Sequence, residues 1–386
     1  MTKAHIKIKN LNKRFGKNLV LQDINLEVKQ GEYIVILGPT GAGKTTLLKL
    51  IAGLVKPTEG EIYKNDQPLT NKIPSERRNM AYLPQTSDYS LFPYINVWEN
   101  TVFSPNMKGD KTKEEISTLG DEILDLVNLR QRYDAFPNEL SGGMMQRVAL
   151  ARAIAADAEV FLLDEPLRAL DARLRLYLRT ELRKLVTDLN KTTFHVTHDQ
   201  EEALAVADKV LILNKGKIIQ FDNPHEIYSN PNSLFSAYFF GETNILPARK
   251  KIRAQEEIYQ VGEHEIISRY NKEYNGKLDG VENSSEEYVV TFKADKVLVG
   301  LATNSSRESE KNINSFKGTI SQTFYLGKWL SIIINVEGLP KTIKAITPSI
   351  EFSKYQPEVD VNLTIPPKVI SCFKESWGSI RELEMS

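Results

Sequence analysis

A glycine-rich segment, "GPTGAGKTT" at residues 38–46, has the residue types that bind phosphate. The backbone amides of such a loop can point at phosphate oxygens, and a helix that follows adds the positive end of its dipole. Lys44 can then meet the β and γ phosphates of a nucleotide, and the Thr45 hydroxyl can ligate Mg²⁺. The candidate phosphate contacts are Gly38, Pro39, Thr40, Gly41, Ala42, Gly43, Lys44, Thr45 and Thr46.

Two adjacent acids, Asp164 and Glu165, follow the apolar run "VFLL". Such a run buries a strand, and an acid at its end is costly unless it has a partner. A phosphate-binding loop needs a second metal contact and a group that orients water. We therefore predict that Asp164 binds Mg²⁺ and that Glu165 orients or deprotonates water at the γ-phosphate.

The elements around these residues indicate a parallel sheet. The phosphate-binding segment lies between the strand-like run "EYIVIL" and the apolar helix "TTLLKLIAGL". Short β-rich runs alternate with helical stretches up to about residue 240, which predicts a largely parallel sheet covered by helices. One predicted helix carries leucines at helical spacing, which we expect to face the core: Leu174, Leu178, Leu182, Leu185 and Leu189.

The sequence pattern changes after "GETNILP". Short strand-like runs separated by Gly, Asn and Ser clusters predict a small all-β domain in the remainder of the chain. We therefore expect one domain at residues 1–240 and another at residues 241–386. A chain of 386 residues is long enough for two hydrophobic cores.

The net charge and the composition argue against several classes of protein. Fifty basic residues balance fifty acidic ones, so no overall field favours nucleic acid or an anionic membrane. A single cysteine, Cys372, fits a reducing compartment. No segment reaches about 18 uninterrupted apolar residues, so we expect a soluble or peripheral protein.

The segment "LSGGMMQRVALARAIA", residues 140–155, carries a family resemblance. Together with the phosphate-binding segment and the acidic pair, it makes the first 240 residues or so resemble the nucleotide-binding subunit of an ATP-binding-cassette (ABC) transporter. Ser141, Gly142 and Gly143 are expected to cap a helix N-terminus and form a second anion site. The resemblance implies that two subunits pack head to tail, each closing the other's ATP with this signature.

The resemblance implies four further roles. Gln85 is similar to the glutamine that contacts Mg²⁺ and the attacking water, and His198 resembles the switch histidine at the γ-phosphate. Asp171 matches a loop that crosses the dimer interface, so we place it among the nucleotide-site residues. Phe15 lies where the family has an aromatic ring that stacks on adenine.

A helical insertion is predicted at about residues 86–158. In the resembled importers this subdomain holds a groove for a cytoplasmic helix of the permease. The aromatic-rich run in this insertion consists of Leu91, Phe92, Pro93, Tyr94, Val97 and Trp98. Aromatic anchors suit a partner interface, although about half of these side chains are expected to pack the subdomain core instead.

The second domain also resembles a known type of domain. The segment "FKGTISQTFYLGKWLSIIINVEG" resembles the small OB-like β-barrel repeat of ATPases that serve importers of oxyanions, ferric iron, polyamines and sugars. An Arg-Pro-Glu motif usually precedes that repeat, whereas this chain reads "FKADKV" at residues 292–297. The junction "GETNILP" recurs among polyamine and iron relatives.

We conclude that the resemblance implies a homodimeric ATPase that uses ATP and Mg²⁺ to drive an importer. Its partners would be integral membrane permease subunits and, indirectly, a substrate-binding protein. We expect the protein at the cytoplasmic face of the membrane, and we expect no nucleic-acid partner. The substrate stays open among polyamine, ferric iron, oxyanion and sugar. A P-loop kinase would lack "LSGGMMQ", and a nucleic-acid- or ribosome-associated cassette ATPase would carry a long coiled-coil insertion or a second cassette.

Arg168 departs from the family, because relatives usually have serine at this position. Two interpretations stay open at this point. The guanidinium suits a carboxylate or a phosphate, so Arg168 could pair with an acid of the opposite subunit or lie near its ATP. Alternatively, it is a solvated side chain at the rim of the interface.

Overall fold

The structure is a computed structural model that describes residues 4–70, 72–85, 91–253, 256–268, 283–302 and 314–384. The chain divides into two compact units, Met1–His225 and Glu226–Ser386. The sequence pattern places the boundary later, at residue 240. In the second unit, Leu234 packs with Ile245 and Val289, so the chain just before residue 240 is part of that unit's core.

The first unit contains helices and strands in alternation, as the sequence pattern indicates. In chain order they are β1 Ala4–Phe15, β2 Asn18–Lys29, β3 Tyr33–Leu37, α1 Lys44–Ala52, β4 Glu59–Lys64, β5 Gln67–Pro68, β6 Met80–Leu83, α2 Val97–Thr101, α3 Phe103–Lys108, α4 Lys113–Leu126, α5 Gly142–Ala155, β7 Val160–Asp164, α6 Ala172–Asp188, β8 Thr192–Val196, α7 Gln200–Val206, β9 Lys209–Asn214 and β10 Lys217–Asp222. Helix α8, Pro224–Ser229, follows at the boundary between the units.

A six-stranded sheet forms the centre of the first unit, in the order β10-β9-β3-β8-β7-β6. Its strands are parallel except for β10, which pairs antiparallel with β9 at one edge. Every residue of β3, β7 and β8 is buried, as expected for parallel strands covered on both faces. The predicted α/β fold with a largely parallel sheet is therefore confirmed.

A second, antiparallel sheet has the order β2-β1-β4-β5. Ile6 and Ile24 of this sheet join Ile34 and Leu162 of the central sheet in one hydrophobic cluster. Leu47 of α1 packs in the same cluster. The helix after the phosphate-binding loop is therefore fixed by the core of the unit.

The parallel strands bring four sequence-predicted segments to one edge of the sheet. The chain leaves β3 into the phosphate-binding loop, β6 towards Gln85, β7 at Asp164 and β8 towards His198. All four strands run in the same direction, so their carboxyl ends share that edge. This is the edge at which open α/β sheets bind ligands.

Helix α6 buries the middle of the face that its leucines indicate, but not its C-terminal end. Leu178 and Leu182 are buried together with Val186, whereas Leu189 is 49% exposed. The helix ends at Asp188, so Leu189 is its C-cap residue and lies beyond the packed face. The prediction of a continuous core-facing leucine stripe is therefore wrong at its C-terminal end.

The second unit is built mainly of strands. Its elements are α9 Leu234–Phe239, β11 Thr243–Arg253, β12 Glu256–Val261, β13 His264–Ser268, β14 Asn283–Lys293, β15 Leu298–Leu301, β16 Ser315–Leu326, β17 Trp329–Asn335, β18 Ile343–Pro348, β19 Asp360–Thr364, β20 Ser371–Phe373 and α10 Trp377–Glu384. Two five-stranded antiparallel sheets have the orders β13-β12-β11-β14-β20 and β15-β19-β16-β17-β18. Both sheets contribute to one core, which includes Leu246, Val290, Leu330 and Val361. The predicted small all-β domain is confirmed.

Lys293 lies in the stretch "FKADKV", which the sequence analysis compared with the Arg-Pro-Glu motif of the resembled repeat. Its amine donates hydrogen bonds to the carbonyl oxygens of Ala237, at 2.7 Å, and Phe240, and to Thr243 Oγ1 at 2.9 Å. Burial lowers the pKa of Lys293 to about 7. The lysine thus binds the C-terminal end of α9 to strand β14.

None of the helices in the described part of the chain is long and apolar enough to cross a lipid bilayer.

We predict that Lys293→Met destabilises the second unit by about 1–3 kcal/mol, because buried carbonyl oxygens lose their donor. The folded-state pKa lies near 7. In the unfolded chain the pKa of this lysine would be about 10.4. Between pH 7 and about 10.4 the unfolded chain therefore binds more protons than the folded protein. The free energy of unfolding of the native protein should therefore rise with pH across this window, and the Met variant should lose that rise.

Urea unfolding at several pH values measures both effects. Lys296→Met is the matched control, because Lys296 is half-exposed and pairs only with its neighbour Asp295 among the ion pairs of the described residues. Equal unfolding free energies and equal pH slopes for the two variants would refute a stabilising role for Lys293.

Candidate nucleotide-binding site

The phosphate-binding loop lies between β3 and α1 and is held closely against the sheet. A Cβ at Gly38 would lie 2.0 Å from the carbonyl oxygen of Leu213 in β9, so only glycine fits there. The buried Lys44 amine donates to the carbonyl oxygens of Gly38, at 2.7 Å, and Pro39, at 2.9 Å. Burial lowers the pKa of Lys44, and the nearby charge of Glu165 opposes that shift. The loop therefore brings its cation towards the acids at the end of β7.

Asp164 is buried, and neither of its carboxylate oxygens has a hydrogen-bond partner among the described residues. Burial raises the pKa of Asp164, and the neighbouring Thr45 side chain acts in the opposite direction. An unpartnered, buried carboxylate beside a hydroxyl is the oxygen-donor set that Mg²⁺ prefers. Within the described ranges, no group of three or more His, Cys, Asp or Glu side chains could hold a metal by itself. The site therefore fits a cation that takes its remaining ligands from phosphate and water.

Glu165 has a constrained backbone. Its φ angle is +52°, a left-handed conformation that non-glycine residues rarely adopt. The Glu165 amide donates to the carbonyl oxygen of Val196 at 2.9 Å, and its own carbonyl accepts from Gln146 Nε2 at 2.7 Å. These two bonds hold Glu165 between β8 and α5.

The Glu165 side chain is buried, and each of its oxygens has a partner. Oε1 lies 2.7 Å from His198 Nε2, and Oε2 accepts from Arg168 Nη1 at 2.8 Å. The acid and the histidine, which the sequence placed together only through resemblance, are therefore in direct contact. Arg168 pairs with an acid of its own chain, while its relation to a second subunit stays a prediction.

The signature segment begins helix α5. Ser141 is the N-cap residue, and its hydroxyl accepts from the Met144 amide at 3.3 Å. A Cβ at Gly143 would lie 2.8 Å from the carbonyl oxygen of Ala169, so this glycine allows a close approach of the loop after Glu165. A Cβ at Gly142 would meet only open space.

Gln146 joins the signature helix to the acidic loop and was missed by the sequence reasoning. Its amide nitrogen donates to the carbonyl of Glu165, and its Oε1 accepts from the Ala169 amide at 2.9 Å. The side chain is buried. A glutamine in a helix whose other residues are mostly apolar was the available signal, because a buried amide requires partners.

The loop that carries His198 is held by Glu202, a second residue that the sequence reasoning missed. Glu202 is buried, and its Oε2 accepts from the Thr197 hydroxyl at 2.6 Å. Thr197 Oγ1 accepts from the Asp199 amide at 3.1 Å, and Asp199 Oδ1 caps α7 by accepting from the Glu202 amide at 3.0 Å. His198 is thus flanked by two residues that bond to Glu202, Thr197 to its carboxylate and Asp199 to its backbone amide. His195 Nε2 lies 3.7 Å from the other oxygen of Glu202, and burial lowers the pKa of this histidine.

A cleft of about 390 Å³ opens at this edge of the sheet. It brings together the phosphate-binding loop, the acidic loop and the histidine loop, and its walls are Thr40, Glu165, Leu167, Arg168, Arg175, Thr197, His198, Asp199 and Glu202. The signature residues Ser141, Gly142 and Gly143 are not among these walls. The cleft therefore contains candidate catalytic side chains of this chain, without the residues of the predicted second anion site.

Three other sequence-predicted residues are not among the walls of the cleft. Gln85 is exposed just beyond the end of β6. Asp171 is the N-cap residue of α6 and accepts from the Leu174 amide at 3.0 Å. Phe15 is 50% exposed, with Lys13 Nζ 4.6 Å from its ring centroid, so it is not a core residue. Their proposed contacts with nucleotide stay predictions.

The structure separates the aromatic-rich run into exposed and packed side chains. Tyr94 is 91% exposed, whereas Leu91 and Val97 are buried. Trp98 is half-buried, with its ring 5.7 Å from that of Tyr133. The Phe92 ring packs on that of Phe103 at 4.4 Å.

Asn100 holds this run in place. It is fully buried, and its side-chain oxygen accepts from the Phe92 amide at 2.9 Å. Its amide nitrogen donates to the carbonyl oxygens of Phe92, Ile95 and Asn96 at 3.0–3.1 Å. The exposed Tyr94 therefore stands on a loop that is bonded to α2 on both sides.

Comparisons with known proteins agree with this geometry. The family described as ABC transporter matches residues 21–168. The chain is 44% identical over 246 residues to the Fe(3+) ions import ATP-binding protein FbpC 1 of Pectobacterium atrosepticum, covering 64% of this chain and 69% of that protein. It is 34% identical over 337 residues to the spermidine/putrescine import ATP-binding protein PotA of Thermotoga maritima, covering 87% of this chain and 88% of that protein.

A solved structure of an ATP-binding cassette is also similar to this chain. The dimeric post-hydrolysis structure of the ATP-binding cassette MJ0796, bound to ADP and Pi, is similar with a TM-score of 0.52 and 32% identity. The similarity covers 57% of this chain and 98% of that chain. The residues matched by the family include the phosphate-binding loop, the signature helix and the acidic pair. The chain therefore belongs to the ABC transporter family, as an ATP-binding protein that hydrolyses ATP.

Proposed function

We propose that this chain is the ATPase subunit of an importer and that Glu165 activates the water that cleaves ATP. The observation that carries the proposal is the contact between Glu165 Oε1 and His198 Nε2 at 2.7 Å, directly after a buried Asp164 with no hydrogen-bond partner among the described residues. Both residues line the cleft to which Thr40 of the phosphate-binding loop contributes, and this position supports a general-base role for Glu165.

In this proposal, ATP lies with its phosphates on the amides of residues 38–46 and its adenine on Phe15. Lys44 leaves the carbonyl oxygens of the loop to contact the β and γ phosphates. A water molecule attacks the γ-phosphorus, the bond from that phosphorus to the β–γ bridging oxygen breaks, and the water's proton passes to Glu165. His198 donates a hydrogen bond that keeps the carboxylate directed at the water. The products are ADP and inorganic phosphate.

Mg²⁺ would be held by Thr45 and Asp164, with Gln85 as a further ligand. When bound, the ion supplies positive charge that stabilises the phosphate oxygens. The buried, unpartnered carboxylate of Asp164 supports this assignment. The exposed position of Gln85 is accessible to a ligand that enters from the edge of the sheet.

The active form proposed here is a head-to-tail homodimer. The cleft has no wall from Ser141, Gly142 or Gly143, although these residues begin a helix and suit a phosphate group. A second copy can supply that surface to the first, with Asp171 at the interface. The dimeric form of the related cassette MJ0796 supports this arrangement.

The transport role follows from the relatives, both of which are import ATP-binding proteins. We propose that permease subunits bind the helical insertion at the cytoplasmic face of the membrane, and that a substrate-binding protein delivers the solute. The substrate proposed first is a polyamine. The alignment with the spermidine/putrescine protein covers 87% of this chain, so it extends into the second unit, whereas the alignment with the ferric-iron protein covers 64%.

Ferric iron is the second candidate, because the identity to the iron-import relative is higher, at 44% against 34%. Uptake of labelled spermidine, putrescine and ferric ion separates the two, measured in cells with and without the intact chain. Loss of polyamine uptake alone supports the first candidate, and loss of iron uptake alone supports the second. Purification with ribosomes or DNA instead of membrane proteins would contradict both.

We predict that Glu165→Gln lowers ATP hydrolysis by at least about 100-fold while ATP binding persists, because the amide keeps the size of the side chain but cannot accept a proton. Size-exclusion chromatography of the variant with ATP and Mg²⁺ should show a stabilised dimer. Glu201→Gln, at an exposed glutamate of α7, is the matched control and should hydrolyse ATP normally. Near-normal turnover by Glu165→Gln would remove this residue from the catalytic role.

We predict that Tyr94→Glu lowers substrate uptake by about tenfold and leaves the ATPase rate of the isolated chain and its thermal midpoint unchanged. The reason is that Tyr94 is 91% exposed, so its ring is available to a partner and contributes little to folding. Trp98→Glu should instead lower the thermal midpoint, because Trp98 packs on Tyr133. A similar loss of thermal stability in both variants would refute the proposed permease contact at Tyr94.

A further inference from the structure

The ion pair between Arg168 and Glu165 joins an exposed cation to a buried acid. Arg168 Nη1 lies 2.8 Å from Glu165 Oε2, and the exposed fractions of the two side chains are 67% and 5%. A hydrogen bond of 3.3 Å from the Arg168 amide to the Glu165 carbonyl forms the turn that returns the guanidinium to the acid. The contact is therefore built into the loop that follows β7.

This contact completes the restraint of the Glu165 side chain. The terminal torsion of a glutamate is broad, so a carboxylate held through one oxygen can still rotate. Here, His198 is bonded to Oε1 and Arg168 to Oε2, while the backbone is held by Val196 and Gln146. With both oxygens bonded, the plane of the carboxylate is fixed.

The other arginine in the cleft cannot replace Arg168 in this arrangement. Arg175 donates from Nη2 to the Leu170 carbonyl at 2.8 Å, so its guanidinium is bonded to the backbone of the same loop. Arg168 is the cation that contacts the acid in the described part of the cleft.

We propose that Arg168 is a positioning residue for hydrolysis: by holding Glu165 Oε2, it fixes the carboxylate plane so that the general base faces the attacking water. This inference rests on the proposed role of Glu165. It assigns to Arg168 a function inside its own subunit, where the residue acts through Glu165 and does not touch the reacting phosphorus.

The test is steady-state hydrolysis of ATP by the purified full chain with Mg²⁺. Arg168→Met keeps the length of the side chain and removes its donors. We expect the rate at saturating ATP to fall about fivefold, with the KM for ATP unchanged within about twofold. Arg168→Lys should recover part of the rate, because an ammonium can donate to Oε2 but lacks the planar fork of arginine.

Measurements at two protein concentrations about tenfold apart separate positioning from dimer formation. A loss of rate that is equal at both concentrations supports the proposal. A loss that disappears at the higher concentration would overturn it, since Arg168 would then act on subunit association. Arg173→Met is the matched control: Arg173 is exposed, forms no ion pair among the described residues, and should leave the rate and thermal midpoint unchanged.

Two further results decide between this inference and the function on which it rests. In a Glu165→Gln background, Arg168→Met should cause no additional loss of the residual rate, because both changes act through one carboxylate. If Glu165→Gln is inactive but Arg168→Met turns over at the normal rate, only the positioning role fails. If Glu165→Gln itself turns over normally, the proposed catalytic role fails first.

Discussion

Two carboxylates buried side by side at the end of β7 are the constraint on which the site depends. An ionised acid removed from water is costly unless donors or a cation compensate it. The protein meets this cost in two ways. Glu165 receives a histidine and an arginine on its two oxygens. Asp164 has no hydrogen-bond partner in the described part of the chain, which makes it the carboxylate that gains most from a metal ion.

The surrounding structure holds the loops that carry these acids and their partners in a fixed geometry. The parallel strands bring the phosphate-binding loop, the acids and the histidine to one edge. The side chains of Gln146 and Glu202 then hold the two loops that carry Glu165 and His198. Both of these supporting side chains are buried, so they are protected from competition with water. The left-handed backbone of Glu165 persists because bonds on both sides determine it.

The fold class and the candidate phosphate-binding and acidic residues could be predicted because the signals for them lie in short, continuous segments of the sequence. The phosphate-binding segment, the apolar run before Asp164 and the signature each occupy fewer than 20 consecutive residues. Contacts that depend on tertiary approach could not be predicted in the same way. Gln146 meets Glu165 because the fold brings helix α5 against the loop that follows β7.

Other features required the three-dimensional structure for similar reasons. The apolar spacing of α6 did not show that the helix ends before Leu189. The pattern "FKADKV" indicated a missing arginine but not that Lys293 reaches the end of α9. The aromatic-rich run could not be divided into surface and core until Asn100 was seen to hold the loop that exposes Tyr94.

The bridge made by Gln146 has a consequence for how this loop tolerates sequence change. The Gln146 side chain forms its hydrogen bonds with main-chain atoms of Glu165 and Ala169, so these bonds do not depend on the side chains of the residues between them. Arg168 projects from that fixed path into solvent. Substitutions at this position can therefore alter the electrostatics around Glu165 while the loop keeps its connection to the signature helix. The path of the loop and the charge that contacts Glu165 therefore depend on two different residues, Gln146 and Arg168.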